Sequence, residues 1–297
     1  MKRPASWPRK WAPLSKLFRT VASPFGQEGC CLLWKLLMLK IQNWETAELG
    51  RKALKKDTFE GRITDIIGTH TERHPGAQAF LVEQDPLWVT PTHFHLEHQF
   101  QVIMAGSGSI GNHVVNRLNV HYSAPETAYG PITAGPEGVS YLTMRMSGDT
   151  GAWYIHKPGS LERLRSGVRQ KREQTHGVPT GSVGTSDLHG LMAPSVENLI
   201  GPRADGLAAH FVRLPPGSCQ QLPTQSPYGG RYYIVISGSV KLNNAEAQTM
   251  TVAFGSHEED LLMQAGSEGA ELLVLQFPVQ ARSGIDTQWN FQKSADK

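Results

Sequence analysis

The chain has 297 residues, of which 39% are hydrophobic and 19% charged, and its formal net charge is +3. This length and composition exclude a wholly disordered protein and suggest about two domains. No segment has the roughly 20 uncharged apolar residues that a membrane helix needs, so no membrane span is predicted. Thirty Gly and 19 Pro without a collagen-like repeat favour many turns between short elements, which indicates an all-β protein.

The basic residues are concentrated at the N-terminus. Residues 1–40 contain eight Lys or Arg and one acid, Glu28, whereas the rest of the chain contains 21 Lys or Arg and 25 Asp or Glu. We interpret residues 1–42 as a basic extension, disordered or poorly packed. It fits a transit peptide, a wrongly assigned start with Met38 as the true first residue, or a segment on an anionic membrane surface. The remainder is slightly acidic, so no nucleic-acid partner is predicted.

The cysteines indicate the compartment. Three cysteines, two of them adjacent at Cys30 and Cys31, cannot form a disulfide framework. A reducing, cytoplasmic location is therefore expected.

Residues 43–156 have a sequence pattern that predicts a first β domain. Short apolar or alternating runs bounded by Gly, Pro, Asp and Thr are typical of strands. The predicted strands are 62–67, 79–83, 88–89, 100–104, 118–122, 140–146 and 153–155. Residues 157–186 are polar, basic, and rich in Gly, Ser and Thr towards their end, and we interpret them as a linker with one helical stretch at 161–173.

Residues 187–282 form a second strand-rich block, followed by a tail at 283–297. The predicted strands are 208–214, 231–236, 239–242, 249–254 and 271–277. The two blocks resemble each other when Gly106 is aligned with Gly238. Ala-Gly-Pro-Glu-Gly-Val at 134–139 also matches Ala-Gly-Ser-Glu-Gly-Ala at 265–270. These matches predict an internal duplication.

The stretch with the clearest chemistry is Pro91-Thr-His93-Phe-His95-Leu-Glu-His-Gln99-Phe-Gln101. Two histidines separated by one residue on a strand project to the same face, because side-chain directions alternate. Inside a small barrel they could converge on one metal ion, since imidazole suits Fe, Mn, Ni, Cu and Zn. A third ligand would come from a neighbouring strand.

This stretch resembles the first motif of the cupin family, which reads G-x5-H-x-H-x3-E-x6-G. Residues 120–131 take the place of the second motif, P-x-G-x2-H. His93 and His95 match the two motif histidines, and Gly106 matches the closing glycine. The resemblance covers about residues 61 to 280 and implies two tandem jelly-roll barrels of the RmlC-like type, that is, a bicupin.

The resemblance also implies roles for individual residues. His93, His95 and Gln99 would be the metal ligands, with Gln99 at the position of the motif glutamate. Tyr129, which lies closest to the second-motif histidine, would be a ligand or the catalytic proton donor. A further departure is Leu87, which stands where the motif has glycine.

Other side chains near the motif have less direct assignments. Alternation places Gln101 inward beside Gln99, as a substrate-binding residue, and leaves His98 outside. His121 and His113 are alternative third ligands.

In the second block the positions aligned with the two histidines and the glutamate hold Gln225, Pro227 and Arg231, which cannot form a metal site. We therefore expect a degenerate barrel with a structural role. The alternative is a metal-free pocket in which Arg231 with Tyr232 or Tyr233 contacts an anion.

Two functions follow for the whole chain. The first is a metal-dependent, dioxygenase-like oxidoreductase that acts on a small molecule with a divalent transition metal (Fe, Mn, Ni, Cu or Zn). The alternative is a metal-free bicupin that binds a small molecule, as a sensor, an isomerase-like pocket or a structural protein. Both predict a small-molecule partner, and a homodimer is a candidate assembly.

Overall fold

A computed structural model describes residues 39–71, 76–149, 151–166, 172–180, 188–222, 227–257 and 260–279. Most of the predicted N-terminal extension and the predicted tail lie outside these residues. Strands dominate the described parts of the chain, as an all-β protein requires, and two short helices, α1 (Trp44–Ala47) and α2 (Ser160–Ser166), accompany them. Within the described ranges, no helix is long and apolar enough to cross a membrane.

The first sheet has nine strands in the spatial order β12-β9-β7-β10-β4-β3-β2, with β5 on β10 and β8 on β7. Its strands are β2 (Lys52–Lys56), β3 (Phe59–Ile67), β4 (Gln78–Gln84), β5 (Val89–Thr90), β7 (Gln99–Ile110), β8 (His113–Asn116), β9 (Val120–Ser123), β10 (Ile132–Arg145) and β12 (Gln174–Gly177). A separate two-stranded ladder joins β6 (His93–Phe94) to β11 (Trp153–Tyr154).

The second sheet has eight strands in the order β1-β18-β16-β19-β14-β13, with β15 on β19 and β17 on β16. Its strands are β1 (Lys40–Gln42), β13 (Ser195–Ile200), β14 (Ala208–Leu214), β15 (Cys219–Gln220), β16 (Gly230–Leu242), β17 (Ala245–Gln248), β18 (Val252–Ser256) and β19 (Met263–Phe277). The ranges 231–236 and 239–242, predicted as two strands, are one continuous strand.

Two strands lie in ranges that the sequence assigns to connecting segments. β1 falls within the predicted N-terminal extension and pairs with β18 of the second sheet. β12 falls within the predicted linker and pairs with β9 of the first sheet. Both segments join the sheets through backbone hydrogen bonds. The side chains of such short polar segments do not indicate this pairing.

The predicted duplication is visible in the strand registers. Gly106 on β7 pairs with Val139 on β10, and Gly238 on β16 pairs with Ala270 on β19, so the two aligned segments occupy the same position in both sheets. Both glycines have positive φ, +71° and +72°. A Cβ on either one would lie 2.1 Å from a carbonyl oxygen of the paired strand. Glycine is therefore required here by close strand approach at a β-bulge inside a continuous strand, and not by a hairpin turn.

Successive side chains along a strand point in opposite directions, so one set packs between the two sheets and the other set faces the interior of a barrel. On β7, Phe100, Val102 and Met104 belong to one apolar cluster together with residues of β14, β16 and β19. The alternate residues Gln99 and Gln101 face the interior of the first barrel, as predicted. The interior of the second barrel is filled by its own apolar cluster of fifteen buried residues.

Tyr232 connects the two barrels. Its single, fully buried hydroxyl proton is shared between the backbone carbonyl oxygens of Gln78 (3.0 Å) and Arg145 (2.7 Å), which are register partners on β4 and β10. We expect Tyr232→Phe to lower the free energy of unfolding by about 1–3 kcal/mol, because it leaves buried carbonyl groups without this donor. Urea unfolding measures it. Tyr141→Phe is the control, since the Tyr141 hydroxyl has no hydrogen-bond partner in the described part of the chain, and an equal loss in both variants would contradict the prediction.

Candidate functional site

A cavity of about 430 Å³ opens inside the first barrel. Its wall contains all five residues that the sequence assigns to the site: His93, His95, Gln99, Gln101 and Tyr129. The fold therefore brings these predicted residues together, while their chemical roles remain predictions.

His93 and Tyr129 form a hydrogen-bonded pair at the cavity wall. Reciprocal backbone bonds of 3.1 and 2.9 Å hold the two residues side by side. The His93 Nδ1–H donates to the Pro91 carbonyl at 2.7 Å, which leaves Nε2 as an acceptor for the Tyr129 hydroxyl at 3.1 Å. Burial lowers the pKa of His93 to about 3 and raises the pKa of Tyr129, so both are neutral near pH 7.

Gln99 bonds to Arg145, which the sequence analysis does not identify. The Gln99 carbonyl oxygen accepts from Arg145 Nε (2.9 Å) and Nη2 (2.6 Å), and its amide donates to the Tyr129 hydroxyl (2.7 Å). Arg145 Nη1 donates to the Gln78 side-chain oxygen at 2.7 Å. Arg145 is 3% exposed and forms part of the cavity wall.

His95 lies between Asp149 and Arg145. Its Nδ1–H donates to the Asp149 carboxylate at 2.5 Å, and its Nε2 lies 3.3 Å from Arg145 Nη2. Burial and the adjacent Arg145 charge lower the pKa of His95, although Asp149 acts in the opposite direction. His95 is therefore a neutral ring with both nitrogens in polar contacts.

The alternative ligands lie elsewhere or are engaged. His121 is buried, with Nδ1 2.9 Å from the Gln101 side-chain oxygen, and stacks on His176, which in turn stacks on the exposed His113. His98 points away from the cavity, as predicted, and bonds through Nδ1 to a tyrosine hydroxyl at 2.6 Å. Neither His113 nor His98 lines the cavity.

The residues present do not fit a divalent metal ion. His93 Nε2 is an acceptor for Tyr129, Gln99 Oε1 accepts two N–H groups from Arg145, and His95 Nε2 contacts the same guanidinium. A cation would have to displace these contacts and sit beside a buried positive charge. Across the described ranges, no group of three or more His, Cys, Asp or Glu is arranged to hold a metal ion.

The second barrel contains the same pair of residue types with their positions exchanged. Arg145 on β10 pairs in register with Gln99 on β7, and Gln276 on β19 pairs with Arg231 on β16. Arg231 Nε donates to the Gln276 side chain at 2.7 Å, and its Nη1 bonds to Asp260 at 3.1 Å. Of the other aligned positions, Pro227 is exposed and Gln225 lies outside the described residues.

Arg145 and Asp149 are the site residues that sequence reasoning missed. One signal was available for Arg145: it is the only charged side chain in Tyr141-Leu-Thr-Met-Arg145-Met, and alternation places it on the same face as Tyr141 and Thr143. A lone charge on an inward-facing position of a buried strand indicates a site. Asp149 lies beyond the strand end, where no periodicity applies.

No family model and no curated protein matches this chain. Solved structures do match. A protein of Nostoc punctiforme PCC 73102, provisionally described as a dioxygenase, aligns with a TM-score of 0.56 and 13% identity over 82% of this chain and 84% of its own. The oxalate decarboxylase of Lactobacillus farciminis, solved as a formate complex, aligns with a TM-score of 0.50 and 14% identity over 80% of this chain and 86% of its own. Together with the strand topology, these likenesses show the predicted fold: two cupin-type barrels in tandem.

Proposed function

We propose that the first barrel binds a small organic molecule in its cavity without a resident divalent metal ion. The observation that carries this proposal is the position of Arg145, whose guanidinium occupies the carbonyl oxygen of Gln99 and lies against His95. Two of the three predicted ligands thus face a fixed positive charge. The proposal corresponds to the metal-free alternative of the sequence analysis.

The cavity has the composition of a ligand site. Its size suits a molecule of modest dimensions, and its wall combines apolar side chains with a few polar groups that would orient the ligand. The neutral His93 is a proton acceptor through Nε2, and the Tyr129 hydroxyl is the donor bonded to it. A ligand carbonyl that takes the place of Nε2 would receive the Tyr129 hydrogen bond, which would suit either binding or a proton-transfer reaction.

Metal content tests the proposal. Inductively coupled plasma mass spectrometry on the full chain, purified without a histidine tag, should find far less than one Fe, Mn, Ni, Cu or Zn per chain. The value should stay low after incubation with each divalent ion, and His93→Ala should not change it. This result is expected because the ligand atoms are engaged by protein groups.

The opposite result is equally clear. Near-stoichiometric metal that is lost in His93→Ala would contradict the proposal and favour the metal-dependent enzyme. His210→Ala is the matched control, because it removes a partly desolvated imidazole from the second barrel and reports any general effect of losing a histidine.

A further inference from the structure

Arg145 is a buried cation without a direct anionic partner. No carboxylate in the described part of the chain lies within 4.0 Å of its guanidinium, which bonds to the amide oxygens of Gln99 and Gln78 and contacts the His95 ring. Asp149 bonds to His95 Nδ1, and that nitrogen lies 3.2 Å from Arg145 Nη2, so this carboxylate reaches the guanidinium only through the imidazole. A buried charge is costly unless it is paired, so this position calls for an anion.

The second barrel contains a comparable buried arginine that does have a carboxylate partner. Arg231 has the same depth of burial, 2% exposed against 3%, and the same bond to a glutamine on the paired strand. There, Nη1 bonds to the Asp260 carboxylate. In the first barrel one N–H of Arg145 Nη1 has no acceptor among the described residues, and the space beside the guanidinium is cavity.

The surroundings of Arg145 define the rest of the ligand. Its Cζ lies 5.4 Å from the centre of the Phe80 ring. The cavity wall also contains the apolar side chains of Leu54, Phe59, Ile63, Phe80 and Val82, together with polar residues such as His70, Thr90 and Thr143. The apolar part of this wall suits an aromatic or branched aliphatic body, and the other Lys or Arg among the lining residues, Lys56, is exposed to solvent.

We infer that the cavity takes a monocarboxylic acid with an apolar body, its carboxylate bonded to Arg145 as Asp260 is bonded to Arg231. This inference rests on the proposed metal-free function and names the chemical class of its ligand. The carboxylate would accept the free Nη1 hydrogen bond in a partly desolvated site, where an ion pair with arginine is strong.

Calorimetric titration with matched acids and amides tests the inference. The probes are benzoate, phenylacetate and isovalerate, each against its uncharged amide of the same shape, titrated into the chelator-treated full chain. At least one acid should bind, and it should bind at least about tenfold more tightly than its amide. Arg145→Gln should abolish this preference, because it removes the charge while keeping a side chain that can bond to Gln99.

Two further variants control for folding. Arg231→Gln makes the same change in the second barrel and should leave acid binding unchanged. Arg145→Lys keeps the charge but loses the planar donor fork, so it should weaken acid binding while keeping the preference over the amide.

Several outcomes would overturn the inference. They are no binding of any acid at millimolar concentration, equal binding of acid and amide, or acid binding that Arg145→Gln leaves intact. Tight binding of the amides alone would leave the metal-free pocket standing and reject only the carboxylate. Stoichiometric metal in the separate metal analysis would reject the proposed function itself.

Discussion

Replacing Gly106 with alanine is expected to cost more than about 4 kcal/mol of unfolding free energy, enough to unfold much of the protein. Two effects add at this position. The backbone φ of +71° is unfavourable for any residue with a Cβ, and the new Cβ would lie 2.1 Å from the Gly138 carbonyl oxygen. Since that oxygen belongs to the paired strand, relief would require β7 and β10 to separate.

Gly217 provides the matched control for this prediction. Its φ is +67°, but a Cβ there would meet nothing within 4 Å, so Gly217→Ala isolates the cost of the backbone conformation, about 1–2 kcal/mol. Gly238→Ala, which meets the Gly269 oxygen at 2.1 Å, should be as harmful as Gly106→Ala. Urea unfolding followed by circular dichroism would measure all three. Equal costs at Gly106 and Gly217 would show that close strand approach is not what requires glycine.

Acidification from pH 6.5 to 5.0 is expected to destabilise the protein by about 2 kcal/mol for each histidine that stays neutral in the folded state. Burial lowers the pKa of His121 to about 3, and those of His98 and His210 to about 4. In the unfolded chain these histidines titrate near their ordinary value of 6.5 and take up protons that the folded protein does not. Stability is therefore present above pH 6.5 and is lost as the pH falls towards the folded pKa values.

The measurement is the free energy of unfolding in urea at several pH values between 7.5 and 5.0. This window lies above the ordinary pKa of Asp and Glu, so carboxylate titration contributes little to the slope. His121→Gln should reduce the slope by an amount that grows as the pH falls and approaches about 1.4 kcal/mol per pH unit near pH 5. His189→Gln, which changes an exposed histidine, should not. A slope that is the same in wild type and His121→Gln would disprove the assignment.

Local patterns were sufficient to predict several features of this protein. Alternating runs bounded by Gly and Pro predicted the long strands of both sheets, because strand formation depends on side chains with a period of two. The spacing from His93 to Gly106 supported the resemblance to the cupin family, which implied the barrels, and the repeated Ala-Gly-x-Glu-Gly segment predicted their duplication. The same alternation placed Gln99 and Gln101 inside and His98 outside, as the structure has them.

Other features involve partners that no local pattern specifies. The strands β1 and β12 are short and polar, and only pairing with β18 and β9 makes them part of the sheets. The sequence also predicted a degenerate second barrel. It did not predict that Arg231 and Gln276 form a pair there in which the arginine and the glutamine are on the opposite strands from Arg145 and Gln99.

The sequence by itself determined the fold class, the duplication and the set of polar residues that face the first barrel, because these depend on periodicity and on glycine positions within single strands. Only the tertiary structure decided what those residues contact. Arg145 is 46 residues from Gln99, yet strand pairing sets their side chains 2.6 Å apart and changes a predicted metal ligand into a partner of a guanidinium. The electrostatics of a buried site depend on the distances between polar and charged groups on paired strands. The register of the sheet sets those distances, and the separation of the residues along the chain does not.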